Sequence, residues 1–253
     1  YGQSKLIAEQ IVAGTAAAKS VTTPSSRFGI LNPALIIGGP RSHHYAANLD
    51  DLLWRLVSAC VLIGEYYPEP EPQEAWIYVS TADAVADAAV GGLFWSSPSP
   101  DTTTTTAAAT AAAAAPGGLQ TRKMISSGLR VDTFWDAVNA GLEEDGYEQK
   151  TKILKRSATY ATWLSRLNES IAAVGEAHPC WPVIHVIETM GTELLSSPMP
   201  PTSAWGPGEK WEEVEQVMAR TVTLNVRYLQ KIGYLGRSSA AGTEITGGFW
   251  RRG

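Results

Sequence analysis

The amino-acid sequence predicts an α/β protein in which alternating helices and strands are followed by a mostly helical region. Helical apolar spacing and short apolar runs of strand length alternate along residues 4–131. From residue 132 onward, amphipathic helical patterns dominate. Because alternating helices and strands build parallel β-α-β units, we expect the edge of a parallel sheet followed by a helical cap.

The alternating region begins with a predicted helix over residues 4–19. Leu6, Ile7, Ile11 and Val12 recur there at helical spacing among many alanines. The apolar run "FGIL" that follows has strand length, and the dipeptide "NP" is expected to stop it.

A second helix is predicted over residues 48–64, where the apolar residues form one stripe along the helix. The stripe consists of Leu52, Leu53, Leu56, Val57, Cys60 and Val61. Asn48 or Asp50 is the expected N-cap, because a short polar side chain can accept a hydrogen bond from the first turn.

The next unit is a strand over residues 75–80 and a helix over residues 81–95. Thr81 is the expected N-cap of this helix, and Asp83 lies in its first turn, where negative charge is favourable. The segment "LQTRKMISSGLRV" predicts a further strand and its exit, and Asp132 is the expected cap of the helix after it.

Residues 96–118 are of low complexity, with a threonine run and an alanine run that cannot build a core. Ordered patterns resume on both sides, so we predict a surface insertion. The sequence therefore divides into a distal sheet region with the start of a substrate region, the insertion, a strand with a helical subdomain, and a flexible tail. Their predicted bounds are 1–95, 96–118, 119–236 and 237–253.

Composition excludes several classes of function. The chain of 253 residues carries a net charge of -5 and no basic stripe, so neither nucleic acid nor a membrane surface is an expected partner. Cys60 and Cys180 form neither a disulfide framework nor a zinc pattern, which favours a reducing, cytoplasmic setting. No apolar run has transmembrane length. The first residue is not Met, and the sequence reads as a piece of a longer protein.

Tyr1 and Lys5 are the first residues with a chemical interpretation. Side chains four residues apart on a helix are neighbours. A phenol has an ordinary pKa of about 10, and a nearby ammonium lowers that pKa, so the phenol can donate a proton near neutral pH. The same ammonium can donate hydrogen bonds to ribose hydroxyls. Taken alone, the pair favours a surface tyrosine and a solvated lysine.

The surrounding residues extend this pair to a longer pattern. In "YGQSKLIAEQ" a small residue precedes the lysine and "AE" follows it, while Asn32 and Pro33 close the next strand. This pattern resembles the extended branch of the short-chain dehydrogenase/reductase superfamily. The segments "NLDDLLWRLVSACVLIGEYY", "WIYVSTADAVADAAV", "FWDAVNAGLEEDGY", "YATWLSRLNESIAA" and "NVRYLQKIGYLG" are similar to thioester reductase domains of nonribosomal peptide synthetases, carboxylic acid reductases and aminoadipate reductases. The resemblance covers nearly the whole chain except residues 96–118, which resemble insertions of fungal homologues, and the tail.

The resemblance implies the distal part of a Rossmann-like sheet followed by a mostly helical substrate-binding subdomain. It implies NADPH as cofactor and an acyl or peptidyl thioester, held on the phosphopantetheine arm of a carrier protein domain, as substrate. Tyr1 would donate a proton to the substrate oxygen, and Lys5 would lower the pKa of Tyr1 and hold the nicotinamide ribose. The backbone of Leu31, Asn32 and Pro33 would face the nicotinamide. The product would be an aldehyde, reduced in some members to an alcohol.

Two parts of the family pattern are missing from the sequence. The Gly-rich turn that seats a dinucleotide pyrophosphate is absent, and the glycine pairs at 38–39 and 91–92 do not replace it because they do not open the first helix. The Ser or Thr that the family places upstream of the tyrosine is absent too. We therefore expect the C-terminal portion of a reductase domain, in which the cofactor-binding half is missing, and no strong NADPH binding or turnover by this chain alone.

Other residue clusters have simpler interpretations. His43 and His44 lack a third ligand for a metal site, and "AHPCWPVIH" favours a packed core segment over a Cys/His nucleophile. The acidic residues near the start of the last helix are expected to form a solvated face; they are Glu209, Glu212, Glu213 and Glu215. Five tryptophans on apolar faces are expected in the core; they are Trp54, Trp76, Trp135, Trp163 and Trp211.

Three functions fit the sequence. The first is NADPH-dependent reductive release of a carrier-bound thioester, which the retained Tyr1 and Lys5 favour. The second is release by Dieckmann-type cyclisation without hydride transfer, and the third is a non-catalytic module that docks a carrier domain.

Overall fold

The structure is a computed structural model. It describes residues 2–22, 28–39, 47–67, 74–94, 119–124, 127–143, 153–191, 197 and 211–235. The predicted insertion at 96–118, the tail at 237–253 and Tyr1 lie outside these residues, as do His43 and His44.

Seven helices and seven short strands make up the described residues. The helices are α1 (Gly2–Thr22), α2 (Leu52–Ile63), α3 (Ala82–Phe94), α4 (Val131–Leu142), α5 (Tyr160–Val174), α6 (Ile184–Met190) and α7 (Trp211–Lys231). The strands are β1 (Phe28–Pro33), β2 (Leu35–Ile37), β3 (Glu65–Tyr66), β4 (Trp76–Thr81), β5 (Leu119–Met124), β6 (Gly128–Arg130) and β7 (Lys155–Arg156). The predicted helices and strands of the alternating region are therefore confirmed, with the addition of β2 and β3, and the segment "LQTRKMISSGLRV" forms two strands, β5 and β6.

The strands form three small sheets. β1 pairs in parallel with β5, and Asn32 lies opposite Lys123. β4 is the centre of the second sheet, parallel to β2 and antiparallel to β6. β3 and β7 form a parallel pair beside the helical region. The strand predicted at "FGIL" is two residues longer than expected. It continues through Asn32, and Pro33 is its last residue.

The core lies where the second sheet meets the helices. The apolar stripe predicted on α2 is buried there, as shown by Leu53, Leu56 and Val57, which have no exposed surface. Trp54, Trp135 and Trp163 are buried as predicted. Trp76 is only half-buried, and the side chain of Trp211 lies outside the described residues.

Aromatic rings connect the helices of the cap. Tyr66 stacks on Trp135 with ring centroids 4.7 Å apart. Tyr67 meets Trp135 edge to face and also contacts Trp163, with centroids 6.2 and 5.4 Å apart. Aromatic contacts of this kind stabilise a core beyond the effect of their buried area, so they hold β3 against α4 and α5.

Two predicted helix caps are wrong. Asp51 caps α2, and its carboxylate accepts a hydrogen bond from the Leu53 N–H at 2.9 Å. Asp50 instead forms an ion pair with Arg55. Asp132 lies inside the first turn of α4, and Arg130 occupies the N-cap position without a side-chain cap of its own. The predicted cap at Thr81 is confirmed, because its hydroxyl accepts from the Ala84 N–H at 3.2 Å.

The prediction that the acidic start of α7 is entirely solvated is wrong for one residue. Glu212 and Glu213 are exposed, but Glu215 is buried. Its carboxylate connects α7 to the start of α4, because it accepts hydrogen bonds from the Arg130 N–H and the Thr133 hydroxyl at 3.0 and 2.9 Å. The Thr133 N–H itself donates to Oδ1 of Asp132 at 2.7 Å. Glu209 lies outside the described residues.

Candidate active site

The first candidate site residues lie where α1 passes the carboxyl end of β1. Lys5 is on the second turn of α1 and is exposed. Tyr1, its predicted partner, lies outside the described residues. The chain reverses direction between α1 and β1, so the start of the helix lies beside the end of the strand. Ligands of open α/β sheets bind outside the carboxyl ends of the strands, and Lys5 lies at such an end.

A side-chain hydrogen bond fixes this arrangement. The Asn32 Nδ2 donates to Oε1 of Glu9 at 3.0 Å, and both side chains are half-buried. Glu9 lies one helical turn after Lys5, on the same face of α1. The predicted site residues Lys5 and Asn32 are therefore brought to one edge of the sheet, with Glu9 between the helix and the strand.

Leu31, Asn32 and Pro33 form the last half of β1, and all three are half-buried. After Pro33 the chain leaves the ladder with β5 and joins the ladder with β4, since Leu35 lies opposite Val79. The chain therefore changes sheet partner directly after Asn32 and Pro33.

The dipeptide Gly38–Gly39 continues the chain beyond β2 and is buried. The Gly38 N–H donates to Oδ1 of Asn225 on α7 at 2.8 Å. A Cβ atom on Gly39 would lie only 2.0 Å from Oδ2 of Asp83, so only glycine allows the carboxylate of α3 this close approach. α3 and α7 thereby fix the backbone at the carboxyl end of β2.

Sequence reasoning did not identify Glu9, Asp83 or Asn225 as parts of this site. The sequence placed Asp83 only in the first turn of a helix. Asn225 is 187 residues away from Gly38, its hydrogen-bond partner. Glu9 was recognised as part of the motif around Lys5, but its partner Asn32 is 23 residues away. No local pattern predicts these contacts.

The described residues fit one end of a dinucleotide. Lys5 is exposed and lies one helical turn before Glu9, the residue that contacts Asn32. The pyrophosphate end has no comparable seat, because β4 runs directly into α3 and the first turn of α3 carries the carboxylate of Asp83. Negative charge there opposes a phosphate, which helix N-termini otherwise attract. Among the described residues, the first turn of α3 is therefore not a favourable seat for a pyrophosphate.

The Cys/His interpretation of "AHPCWPVIH" fails on geometry and charge. His178 and Cys180 are both buried, and the Cys180 N–H donates to Nδ1 of His178 at 3.1 Å. Burial lowers the pKa of His178 and raises the pKa of the Cys180 thiol to about 12. Since a thiolate is the reactive form, this pair is a structural core element, as predicted. His185 is exposed.

Two features are absent from the described residues. Among them, no three His, Cys, Asp or Glu side chains come together as a metal site. No helix in this part of the chain has both the length and the apolar character needed to cross a membrane.

Comparison with known proteins gives relatives of one kind. The chain is 26% identical over 239 residues to N-benzoylphenylalaninol synthetase apmA of Penicillium brevicompactum, covering 93% of this chain and 8% of that protein. It is 27% identical over 256 residues to D-lysergyl-peptide-synthetase subunit 3 of Claviceps purpurea, covering all of this chain and 13% of that protein. It is 26% identical over 239 residues to the nonribosomal peptide synthetase phqB of Penicillium fellutanum, covering 94% of this chain and 9% of that protein. The chain is a homologue of these fungal peptide synthetases.

A solved structure identifies the region of a synthetase that this homologue resembles. The fold matches the PhqB reductase domain from Penicillium fellutanum with a TM-score of 0.66 and 23% identity, covering 92% of this chain and 53% of that one. The synthetase homologue therefore has the fold of about half of a reductase domain, and spans about a tenth of the length of the curated synthetases. No protein-family profile matches the sequence.

Proposed function

We propose that this synthetase homologue is part of a thioester reductase domain that uses NADPH to release a carrier-bound acyl or peptidyl chain as an aldehyde. The observation that carries the proposal is the fold match to a reductase domain over 92% of the chain, together with Lys5 and Asn32 at one carboxyl edge of the sheet. The name of apmA, an N-benzoylphenylalaninol synthetase, denotes a synthetase whose product is an amino alcohol. Reductive release gives such a product after a second reduction.

Each candidate residue has a defined part in the proposed reaction. NADPH, when bound, supplies the hydride that reduces the thioester carbonyl carbon. Tyr1 donates its phenolic proton to the carbonyl oxygen, which gives a hemithioacetal. The carbon–sulfur bond then breaks, and the pantetheine thiol and an aldehyde leave. Lys5 lowers the pKa of Tyr1 by its positive charge and holds the ribose, while the backbone of Leu31, Asn32 and Pro33 faces the nicotinamide.

The partner in this proposal is a carrier protein domain, since the substrate is tethered to its phosphopantetheine arm. The substrate enters beyond Gly38 and Gly39, where α3 and α7 fix the chain.

The experiment uses the full natural gene product, with whatever residues precede Tyr1, and an acyl-loaded carrier domain. We expect NADPH oxidation and aldehyde formation, both lost in Tyr1→Phe and retained in the matched control Tyr228→Phe on α7. Release of product without NADPH oxidation would contradict the proposal and favour Dieckmann-type cyclisation. Binding of the carrier domain with no product at all would favour a docking module.

A further inference from the structure

The contact between Glu9 and Asn32 has a role beyond packing. It is a hydrogen bond of 3.0 Å that connects the helix of Lys5 to the strand end of Leu31, Asn32 and Pro33. Both partners are half-buried, so the bond is partly protected from water. Bonds to an ionised acceptor are stronger than neutral ones, so this contact resists sliding of α1 along β1.

The chemistry of the two groups determines how Asn32 is oriented. A carboxylate only accepts hydrogen bonds, so the amide nitrogen of Asn32 must face Glu9. The amide carbonyl oxygen, on the other branch of the same planar group, then faces away from Glu9. Loss of the carboxylate leaves both orientations of the amide available.

The position of Glu9 on α1 relates it to Lys5 as well. Lys5, Glu9, Val12 and Ala16 follow one another at helical spacing, and this face turns inward, since Ala16 is fully buried and Val12 is half-buried. A carboxylate one turn C-terminal to the lysine stabilises the ammonium.

We propose that Glu9 is a positioning residue of the candidate active site, which orients Asn32 by its hydrogen bond and sets the charge around Lys5. This inference rests on the proposed reductase function. Other charged residues also bear on the site. Arg122 and Lys123 of β5 lie in register with Leu31 and Asn32, and Asp83 and Asp87 are on α3, which packs on β1. Glu9 is chosen because of its direct bond to Asn32.

Two substitutions separate the two effects of Glu9. E9Q removes the charge but keeps an oxygen acceptor for Asn32, whereas E9A removes both. In the full natural gene product we expect E9A to lower kcat by about tenfold to a hundredfold, because misplaced groups have effects of that size. For E9Q we expect a kcat within about threefold of that of the wild type. We also expect the upper limb of the pH–rate profile to move about half a unit to lower pH, because loss of a negative charge lowers the pKa of a nearby phenol.

A readout without turnover tests the same inference. The side-chain amide protons of Asn32, followed by NMR in the protein without cofactor, should change in E9A and stay near their wild-type positions in E9Q. Glu213→Gln on α7 is the matched control, because it removes the same charge from an exposed helix face. Circular dichroism and the unfolding midpoint show whether each variant is folded.

The outcomes distinguish the inference from the function on which it rests. Wild-type protein that does not oxidise NADPH contradicts the proposed reductase function. The wild type could be active while E9A and E9Q leave kcat, KM, the pH profile and the Asn32 resonances unchanged. That result would contradict the positioning role of Glu9 but not the proposed reductase function. Equal effects of E9Q and E9A on the Asn32 resonances would show that the bond to Asn32 is not what Glu9 contributes.

Discussion

The carboxylate of Glu215 on α7 holds Arg130, the residue that precedes α4, by three hydrogen bonds. It accepts from the Arg130 backbone N–H and Nε at 3.0 Å each, and from Nη2 at 2.8 Å. A fourth bond comes from the Thr133 hydroxyl at 2.9 Å. One buried carboxylate thus joins the start of α4 to α7. The two helices come so close that a Cβ on Gly141 would lie 2.7 Å from Val226.

Replacing Glu215 should destabilise the fold. E215Q loses the charge that strengthens all four bonds, and we expect the free energy of unfolding to fall by about 1–3 kcal/mol, the range for hydrogen bonds to charged groups. Urea unfolding measures this change. E213Q, on the exposed side of the same helix turn, should leave the free energy within about 0.5 kcal/mol of wild type. Equal stabilities of the two variants would contradict this role of Glu215.

The same carboxylate should make stability depend on pH. Burial alone would raise the pKa of Glu215, but the bonds from Arg130 and Thr133 outweigh burial and hold the pKa below its ordinary value of 4.5. The contribution of Glu215 to the free energy of unfolding is therefore present at pH values above 4.5. It is lost as the pH falls through the lowered pKa of this carboxyl in the folded protein. Urea unfolding from about pH 6 to about pH 3 should show a smaller loss of stability for E215Q than for wild type. Parallel curves for the two proteins would contradict this assignment.

The outer face of α1 carries apolar residues that the described chain leaves uncovered. Leu6, Ile7 and Ile11 are 56%, 55% and 63% exposed. Substitution of Leu6 and Ile11 by Ser in this 253-residue chain should change the free energy of unfolding by less than about 0.5 kcal/mol per residue, and should reduce any self-association seen by analytical ultracentrifugation.

A buried residue provides the control for α1. Leu53→Ser on α2 removes a side chain with no exposed surface, and should destabilise by more than about 2 kcal/mol. A loss of that size for Leu6→Ser or Ile11→Ser would show that the face of α1 is covered in solution.

Both cysteines should be unreactive in the folded protein. Cys60 and Cys180 are free and buried, and burial raises the pKa of both thiols, that of Cys180 to about 12. A thiol reagent at neutral pH should modify neither cysteine in the native state and both after denaturation. Rapid modification of the native protein would place at least one thiol at the surface.

Local patterns predicted most of the secondary structure. The stripe of α2 and the strand at β4 have the periods of a buried helix and a buried strand, and Thr81 caps α3 as its position suggests. The three-residue strand β2 was not predicted, because a run that short after Pro33 has no period of its own. Its place depends on pairing with β4.

Long-range contacts explain the remaining errors. Glu215 lies among acidic residues at the start of a helix, where exposure is the ordinary expectation, and its partner Arg130 is 85 residues away. Asp132 was expected at the N-cap of α4, but the helix begins one residue earlier, at Val131, and Asp132 accepts from the Thr133 N–H inside the first turn. Within the candidate site, Lys5 and Asn32 were predicted from family resemblance, whereas Glu9, Asp83 and Asn225 acquire their roles only through the fold.

The transfer of a labelled hydride tests the proposed reductase function most directly. Full natural gene product is given an acyl-loaded carrier domain and NADPH deuterated at the transferable position of the nicotinamide, and the released product is analysed by mass spectrometry. We predict an aldehyde, or the alcohol derived from it, that carries the deuterium, with no labelled product from Tyr1→Phe. A released product without deuterium would contradict the proposed reductase function.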